Sequence, residues 1–212
     1  METTVRMDRS KVNHKDPGAV HAMVSITAPE VTAADRKPID VVVAIDVSSS
    51  MTEPATTAHD GASKLELAKQ AVRRFIENLA PGDRVGIVTY STDVDVLAPL
   101  RELTEDYRRE VTAKVGALAP VSATDLVGGA LRALGLLKEC AADVGRTRRV
   151  LLFTDGLPTH GITKYADVVR AITAQLDGKT PISTFGFGAA VVANGVGGGG
   201  YDPELLLAIA KG

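Results

Sequence analysis

The chain has 212 residues, an apolar share of 45% and a formal net charge of −2, which gives room for one sizeable core and little for a second. Charges that nearly cancel exclude a bulk attraction to nucleic acid or to an anionic membrane surface. The single cysteine, Cys140 in "LLKECAA", forms no internal disulfide and suits a reducing compartment; it reads as a small apolar helix residue. The opening "METTVRMDRSKVNHKDPG" lacks the apolar stretch of a signal peptide, and no uncharged apolar run is long enough to span a membrane. These features predict an intracellular, cytoplasmic protein with no membrane span and no nucleic-acid partner; a processed or trimmed secreted chain would present the same features.

Residues 1–38 read as a polar N-terminal tail, within which "AVHAMVSITAP" (Ala19 to Pro29) alternates as a candidate edge strand. "IDVVVAIDV" (Ile39 to Val47) is too continuously apolar for a half-exposed strand and predicts a central parallel one, covered on both faces. After the loop "MTEPATTAHDGAS" comes "KLELAKQAVRRFIENL", a helix whose Leu65, Ala68, Val72, Phe75, Ile76 and Leu79 share one face, with Lys and Arg assigned to the opposite one. "RVGIVTYS" (Arg84 to Ser91) predicts a second buried strand. "VDVLAPL" (Val94 to Leu100), reached through a tight turn, predicts an antiparallel edge strand. Helices follow at about Thr104 to Leu118 and Asp125 to Ala142. "RRVLLFT" (Arg148 to Thr154) is a strand, "KYADVVRAITAQL" a helix, "PISTFGFG" a strand and "DPELLLAIAKG" a helix. This alternation predicts an α/β fold: a Rossmann-like, doubly wound, mostly parallel sheet with helices on both faces and one antiparallel edge strand.

Sheets of this class bind ligands outside the carboxyl ends of their strands, where the winding reverses. At the end of the first buried strand, "VVVAIDVSSSM" presents Asp46, Ser48 and Ser50 at alternate positions, and alternate side chains of an extended segment project to one side. Asp155 follows "RRVLLFT", and Thr124, expected to cap the next helix, precedes "DLVGGALRALGLLKECAA". Three segments thus offer five oxygen-bearing side chains to one rim. Oxygen-only ligands suit a hard cation, and short side chains with few charges suit Mg²⁺ or Mn²⁺ better than a wide Ca²⁺ cage. Each group also has a plain structural reading, since serines after a strand make turns and a threonine caps a helix.

At these residues the chain resembles the von Willebrand factor type A (VWA) domain with its metal-ion-dependent adhesion site (MIDAS). The family pattern, Asp-x-Ser-x-Ser after the first strand, a Thr in a later loop and an Asp in a "TDG"-like turn, is met by "DVSSS", by Thr124 in "SATDL" and by Asp155 in "FTDGLPT". The likeness runs from about Ile39 to Gly212, so residues 39–212 are taken as a VWA-like domain without its final strand. It implies a non-enzymatic module that binds a partner protein's Asp or Glu through the metal. Ser48, Ser50 and Thr124 would touch the ion, and Asp46 and Asp155 would bond it directly or through water. Three departures stand out. Ser49 and Ala123 replace frequent glycines, the loop Met51 to Ser63 is long, and the chain stops at "IAKG" where the family adds a strand.

The rival from another class is a Mg²⁺-dependent hydrolase or phosphotransferase, which needs a nucleophilic Asp or a poised base and a phosphate-binding lysine. Asp46 lacks the second nearby Asp of the usual phosphatase pattern, and no lysine is expected at these strand ends. A catalytic serine with His160 lacks the G-x-S-x-G turn. "NGVGGGGYDP" meets G-x-G-x-x-G through Gly195, Gly197 and Gly200, but without a tight strand-to-helix turn or a later acid it reads as a surface loop. "RTRRV" reads as a solvated strand entry away from the site, with a phosphate contact as its alternative. A third reading makes the domain a regulatory piece of a larger intracellular machine.

Overall fold

The computed structural model describes residues 2–8, 19–27, 36–55, 61–140, 145–188 and 200–212. They divide into two compact units, Met1–Arg36 and Lys37–Gly212.

In the first unit, β1 (Glu2–Met7) pairs antiparallel with β2 (Ala22–Thr27), Val5 opposite Val24 and Met7 opposite Ala22. The stretch read as a candidate edge strand therefore belongs to a two-stranded ribbon of its own. Its partner comes from the supposed polar tail, where Thr3, Val5 and Met7 alternate with Glu2, Thr4 and Arg6, the two-residue period of a strand.

The second unit holds a five-stranded sheet. Its strands are β3 (Ile39–Asp46), β4 (Arg84–Tyr90), β5 (Val94–Glu102), β6 (Thr147–Thr154) and β7 (Ile182–Gly186), in the spatial order β5-β4-β3-β6-β7. β3 runs parallel to both neighbours, β6 and β7 are parallel, and β5 is the antiparallel edge. Helices α1 (Lys64–Glu77), α2 (Glu105–Gly116), α3 (Leu126–Glu139), α4 (Tyr165–Thr173) and α5 (Pro203–Lys211) fill the crossovers and follow the last strand. The chain is therefore an α/β protein with the doubly wound, mostly parallel sheet that the alternation predicts.

The continuous apolar run of β3 is explained by its two covered faces. Val41, Val43 and Ile45 pack in a cluster with Leu65, Ala68, Val72 and Ile76 of α1 and Val111 and Val115 of α2. Val42 and Ala44 point the other way, into a cluster with Leu126, Ala130 and Leu137 of α3, Ile172 of α4 and Ile209 of α5. Burial on this scale is worth about 25 cal/mol per Å² of apolar surface and dominates the stability of such a domain. Helix starts are set by hydroxyls and carboxylates: Ser63 accepts from the Glu66 N–H, Thr104 from Tyr107, Asp125 from Gly128 and Asp202 from Leu205. Thr124 is thus not the cap of α3, as expected from sequence. Asp125, one residue on, reaches the Gly128 N–H and leaves Thr124 in the preceding loop.

Two contacts hold the ends of the sheet. At the carboxyl end, Gly129 lets α3 approach β4 so closely that an added Cβ would lie 2.4 Å from the Tyr90 ring. At the amino end Arg146 donates to Asp40 Oδ1 at 2.7 Å and to the Gly82 carbonyl at 2.7 Å. Arg148 donates to the Cys140 carbonyl. The "RTRRV" arginines 146 and 148 are therefore tied into the base of the sheet rather than solvated, because buried Asp40 needs cations beside it. Cys140 ends α3 there, partly exposed.

Candidate metal centre at the rim of the sheet

β3 lies where the winding reverses, with β4 on one side and β6 on the other. Asp46 closes β3 and is fully buried. Its Oδ1 accepts the Ser48 N–H at 2.9 Å and its Oδ2 the Thr154 hydroxyl at 2.9 Å, so one carboxylate fastens the end of β3 to the end of β6. Burial pushes the Asp46 carboxyl up to about 6, against the pull of the Ser48 and Thr154 hydrogen bonds and with help from the nearby Asp155 charge. Tyr90, beside Asp46 in the sheet, is also buried, and burial with the Asp46 charge holds its phenol well above the usual range while it donates to the Phe153 carbonyl at 2.7 Å.

After Asp46 the backbone leaves the extended form. Ser48 is still extended, but Ser49–Thr52 forms a 3₁₀ turn pinned by buried Met51. Strand alternation therefore places Asp46 and Ser48, and the turn places Ser50. Ser48 Oγ and Ser50 Oγ stand 3.0 Å apart, and Ser50 Oγ donates to Asp155 Oδ1 at 2.9 Å. The structure thus joins Asp46, Ser48, Ser50 and Asp155 into one group. Thr124 is buried on the neighbouring loop and enters through its backbone: its N–H donates to Thr159 Oγ1 at 2.9 Å, and its carbonyl accepts from Thr159 and His160. That loop is stitched to the serine turn by Ser49 N–H to the Ser122 carbonyl, 3.0 Å, and by Val121 N–H to the Val47 carbonyl. His160 is exposed and touches Thr124 through its N–H, not its imidazole.

One participant escaped the sequence reading. The apolar pattern of the helix places Lys64, the first residue of α1, with the other cations on the solvent face, yet its side chain is 1% exposed. Its Nζ donates to Asp155 Oδ2 at 2.8 Å and to Glu53 Oε2 at 2.7 Å. The expectation that no lysine stands at the strand ends is corrected in effect, because a helix start delivers the ammonium there. Burial opposes its charge, but Asp155 and Glu53 hold the ammonium above its ordinary range. The signal was present: Lys64 lies four residues before Ala68 and eight before Val72, on the buried stripe. Lys69 is likewise buried and bonded to Glu66. Of the glycine-rich "NGVGGGGYDP", Gly195 and Gly197 lie outside the described residues, as do residues 56–60 of the long loop.

The side chains gathered here offer oxygen atoms, from hydroxyls and carboxylates. Among the described residues no three His, Cys, Asp or Glu side chains gather into a cluster, so any cation here relies on hydroxyls beside two carboxylates. Around Mg²⁺ with ligands at about 2.1 Å, adjacent octahedral oxygens stand about 3.0 Å apart. The 3.0 Å and 2.9 Å separations are those of hydroxyl hydrogen bonds and are compatible with that spacing. Tetrahedral zinc would spread neighbours to about 3.3 Å and favours nitrogen and sulfur.

The sequence profile of the von Willebrand factor type A domain matches residues 41–157, more than half of the chain. Inter-alpha-trypsin inhibitor heavy chain H1 of Sus scrofa is 26% identical over 154 residues, 70% of this chain and 16% of that protein. The chain thus spans less than a fifth of that relative's length. Among solved structures, a von Willebrand factor type A protein from Catenulispora acidiphila superimposes with a TM-score of 0.65 at 20% identity, covering 98% of this chain and 43% of that one. Proximal thread matrix protein 1 of the mussel byssus, with zinc in its MIDAS motif, gives 0.59 at 16% identity, covering 82% and 41%. At these identities the structural likenesses bear on fold alone.

Proposed function

Because the chain belongs to the von Willebrand factor type A domain family, we propose that it is a non-enzymatic, metal-dependent protein-binding module. Ser48, Ser50 and Thr124 hold Mg²⁺ or Mn²⁺, Asp46 and Asp155 supply the charge, and an Asp or Glu carboxylate of a partner protein completes the site. The ion, when bound, acts as a Lewis acid toward that carboxylate. The observation that carries the reading is the chain of contacts from Ser48 through Ser50 to Asp155, which gathers hard oxygen donors of the serine turn and of the loop after β6 at one rim. The binding domain in this reading is residues 39–212, with 1–38 an appendage. A lone cysteine suits a reducing compartment, and near-balanced charge suits a partner other than nucleic acid. Among the described residues no helix is long and apolar enough to cross a membrane.

The hydrolase or phosphotransferase alternative gains a lysine at the site but not a usable one. Lys64 is buried and held by two carboxylates, so its charge is already matched and not presented to a phosphate. The test is fluorescence anisotropy with peptides bearing Asp or Glu and their Asn or Gln counterparts, in Mg²⁺ and in chelator. Binding confined to the acidic peptides in Mg²⁺ supports the module. Phosphatase turnover on p-nitrophenyl phosphate that disappears in Asp46→Asn would instead favour the enzyme.

A further inference from the structure

Lys64 is in an unfavourable place for a cation. It starts α1, where the helix dipole presents its positive end, and its side chain is almost wholly removed from water, a rare state for lysine. Local conflicts of this kind survive where a site uses them. The conflict is resolved by dividing one carboxylate: Asp155 Oδ1 accepts from Ser50 Oγ at 2.9 Å while Oδ2 accepts from the Lys64 ammonium at 2.8 Å. Glu53 Oε2, on the segment after the serine turn, shares the ammonium at 2.7 Å and is half exposed. A backbone bond from the Lys64 N–H to the Glu53 carbonyl, 3.0 Å, fixes the two residues side by side.

Resting on the reading of the rim as a divalent-metal site, we propose that Lys64 sets its metal specificity. By engaging Oδ2 with a charged donor, it fixes the carboxylate with Oδ1 toward the serine turn and disfavours bidentate use of Asp155, which selects Mg²⁺ and Mn²⁺ over Ca²⁺. Calcium takes six to eight oxygens and uses bidentate carboxylates freely, whereas Mg²⁺ is octahedral, binds one or two carboxylates and keeps waters. The ammonium also repels any divalent ion nearby, so it lowers affinity in general and Ca²⁺ affinity most. Glu53 weakens that repulsion by drawing on the same ammonium. Lys64 is therefore a positioning residue: it acts through Asp155 without binding the ion.

The experiment is calorimetric titration of the chain, Lys64→Gln, Lys64→Arg and Glu53→Gln with Mg²⁺, Mn²⁺ and Ca²⁺, at one pH and ionic strength, each variant first checked for cooperative unfolding. Lys64→Gln is expected to tighten Mg²⁺ roughly tenfold and Ca²⁺ on the order of a hundredfold, shifting the ratio between them. Lys64→Arg keeps the parent's ratio, and Glu53→Gln weakens all three ions several-fold at an unchanged ratio. If the parent binds and the ratio is the same in Lys64→Gln, the role of Lys64 is overturned while the metal site stands. If neither parent nor Lys64→Gln binds any of the ions, the metal reading falls and this inference with it. Should Lys64→Gln fail to unfold cooperatively, Glu53→Gln decides, and unaltered affinities in that variant overturn the proposal.

Discussion

Ser50 Oγ donates to Asp155 Oδ1 at 2.9 Å across 105 residues of sequence. The contact closes the gap between the loop after β3 and the loop after β6, which the sheet holds side by side through the pairing of Ile45 with Phe153. Asp155 also binds Lys64, so one carboxylate links the sheet, the serine turn and the start of α1.

The Lys64–Asp155 pair is buried on both sides. Removing one member of such a pair strands the other charge, at about 3–5 kcal/mol. Lys64→Ala in chelator is expected to lose stability of that order in urea unfolding. Combined with Asp155→Ala it should lose about 2 kcal/mol less than the sum of the single changes. Additive losses would mean that the pair is not coupled.

Asp46 contributes a pH dependence to the stability of the metal-free chain. Its carboxyl is pushed up to about 6 in the folded state, from 3.8, so between those values the folded chain binds more protons than the unfolded one. Stability from this group is therefore fully present below about pH 4 and falls as pH rises, reaching a deficit of about 3 kcal/mol above pH 6. Asp46→Asn removes the buried charge and should equal the parent near pH 4 but exceed it in chelator at pH 7. The check is the difference between the two chains in urea unfolding from pH 4 to 7, and a constant difference would contradict it.

Gly129 allows α3 to meet Tyr90. Gly129→Ala drives a methyl into that ring and should lower stability by about 1–3 kcal/mol, with no gain or loss of Mg²⁺ response. Thermal unfolding with and without Mg²⁺ separates the two effects.

Much of this was legible in the sequence because the strongest signals are periodic or chemical. The unbroken run Val41 to Ile45 announces a strand covered on both faces, and the helix stripe through Ala68, Val72 and Ile76 announces the layer above it. Asp46, Ser48, Ser50 and Asp155 could be named because strand ends in such sheets gather at one rim. Lys64 was not, since reading a helix by its apolar positions sends every lysine to solvent and gives no weight to a carboxylate 91 residues away. Thr124 was placed near its true position but given the wrong task, as Asp125 beside it makes the better cap. The ribbon of Glu2–Met7 was hidden by its polar residues, although Thr3, Val5 and Met7 carried the period. Arg146 looked solvated until the fold set it on Asp40.

Whether the rim holds a divalent ion is tested most directly by thermal unfolding of the chain and of Asp155→Asn, each in chelator and in excess Mg²⁺. Ligand at a hundred times its Kd adds about 2.7 kcal/mol. For a domain of this size the parent's midpoint should rise by roughly 5 to 10 °C, while that of Asp155→Asn stays where it is in chelator. A parent that unfolds cooperatively at the same temperature in chelator, Mg²⁺ and Mn²⁺ would contradict metal-dependent binding and leave the five oxygen-bearing side chains as turns and strand-end ties.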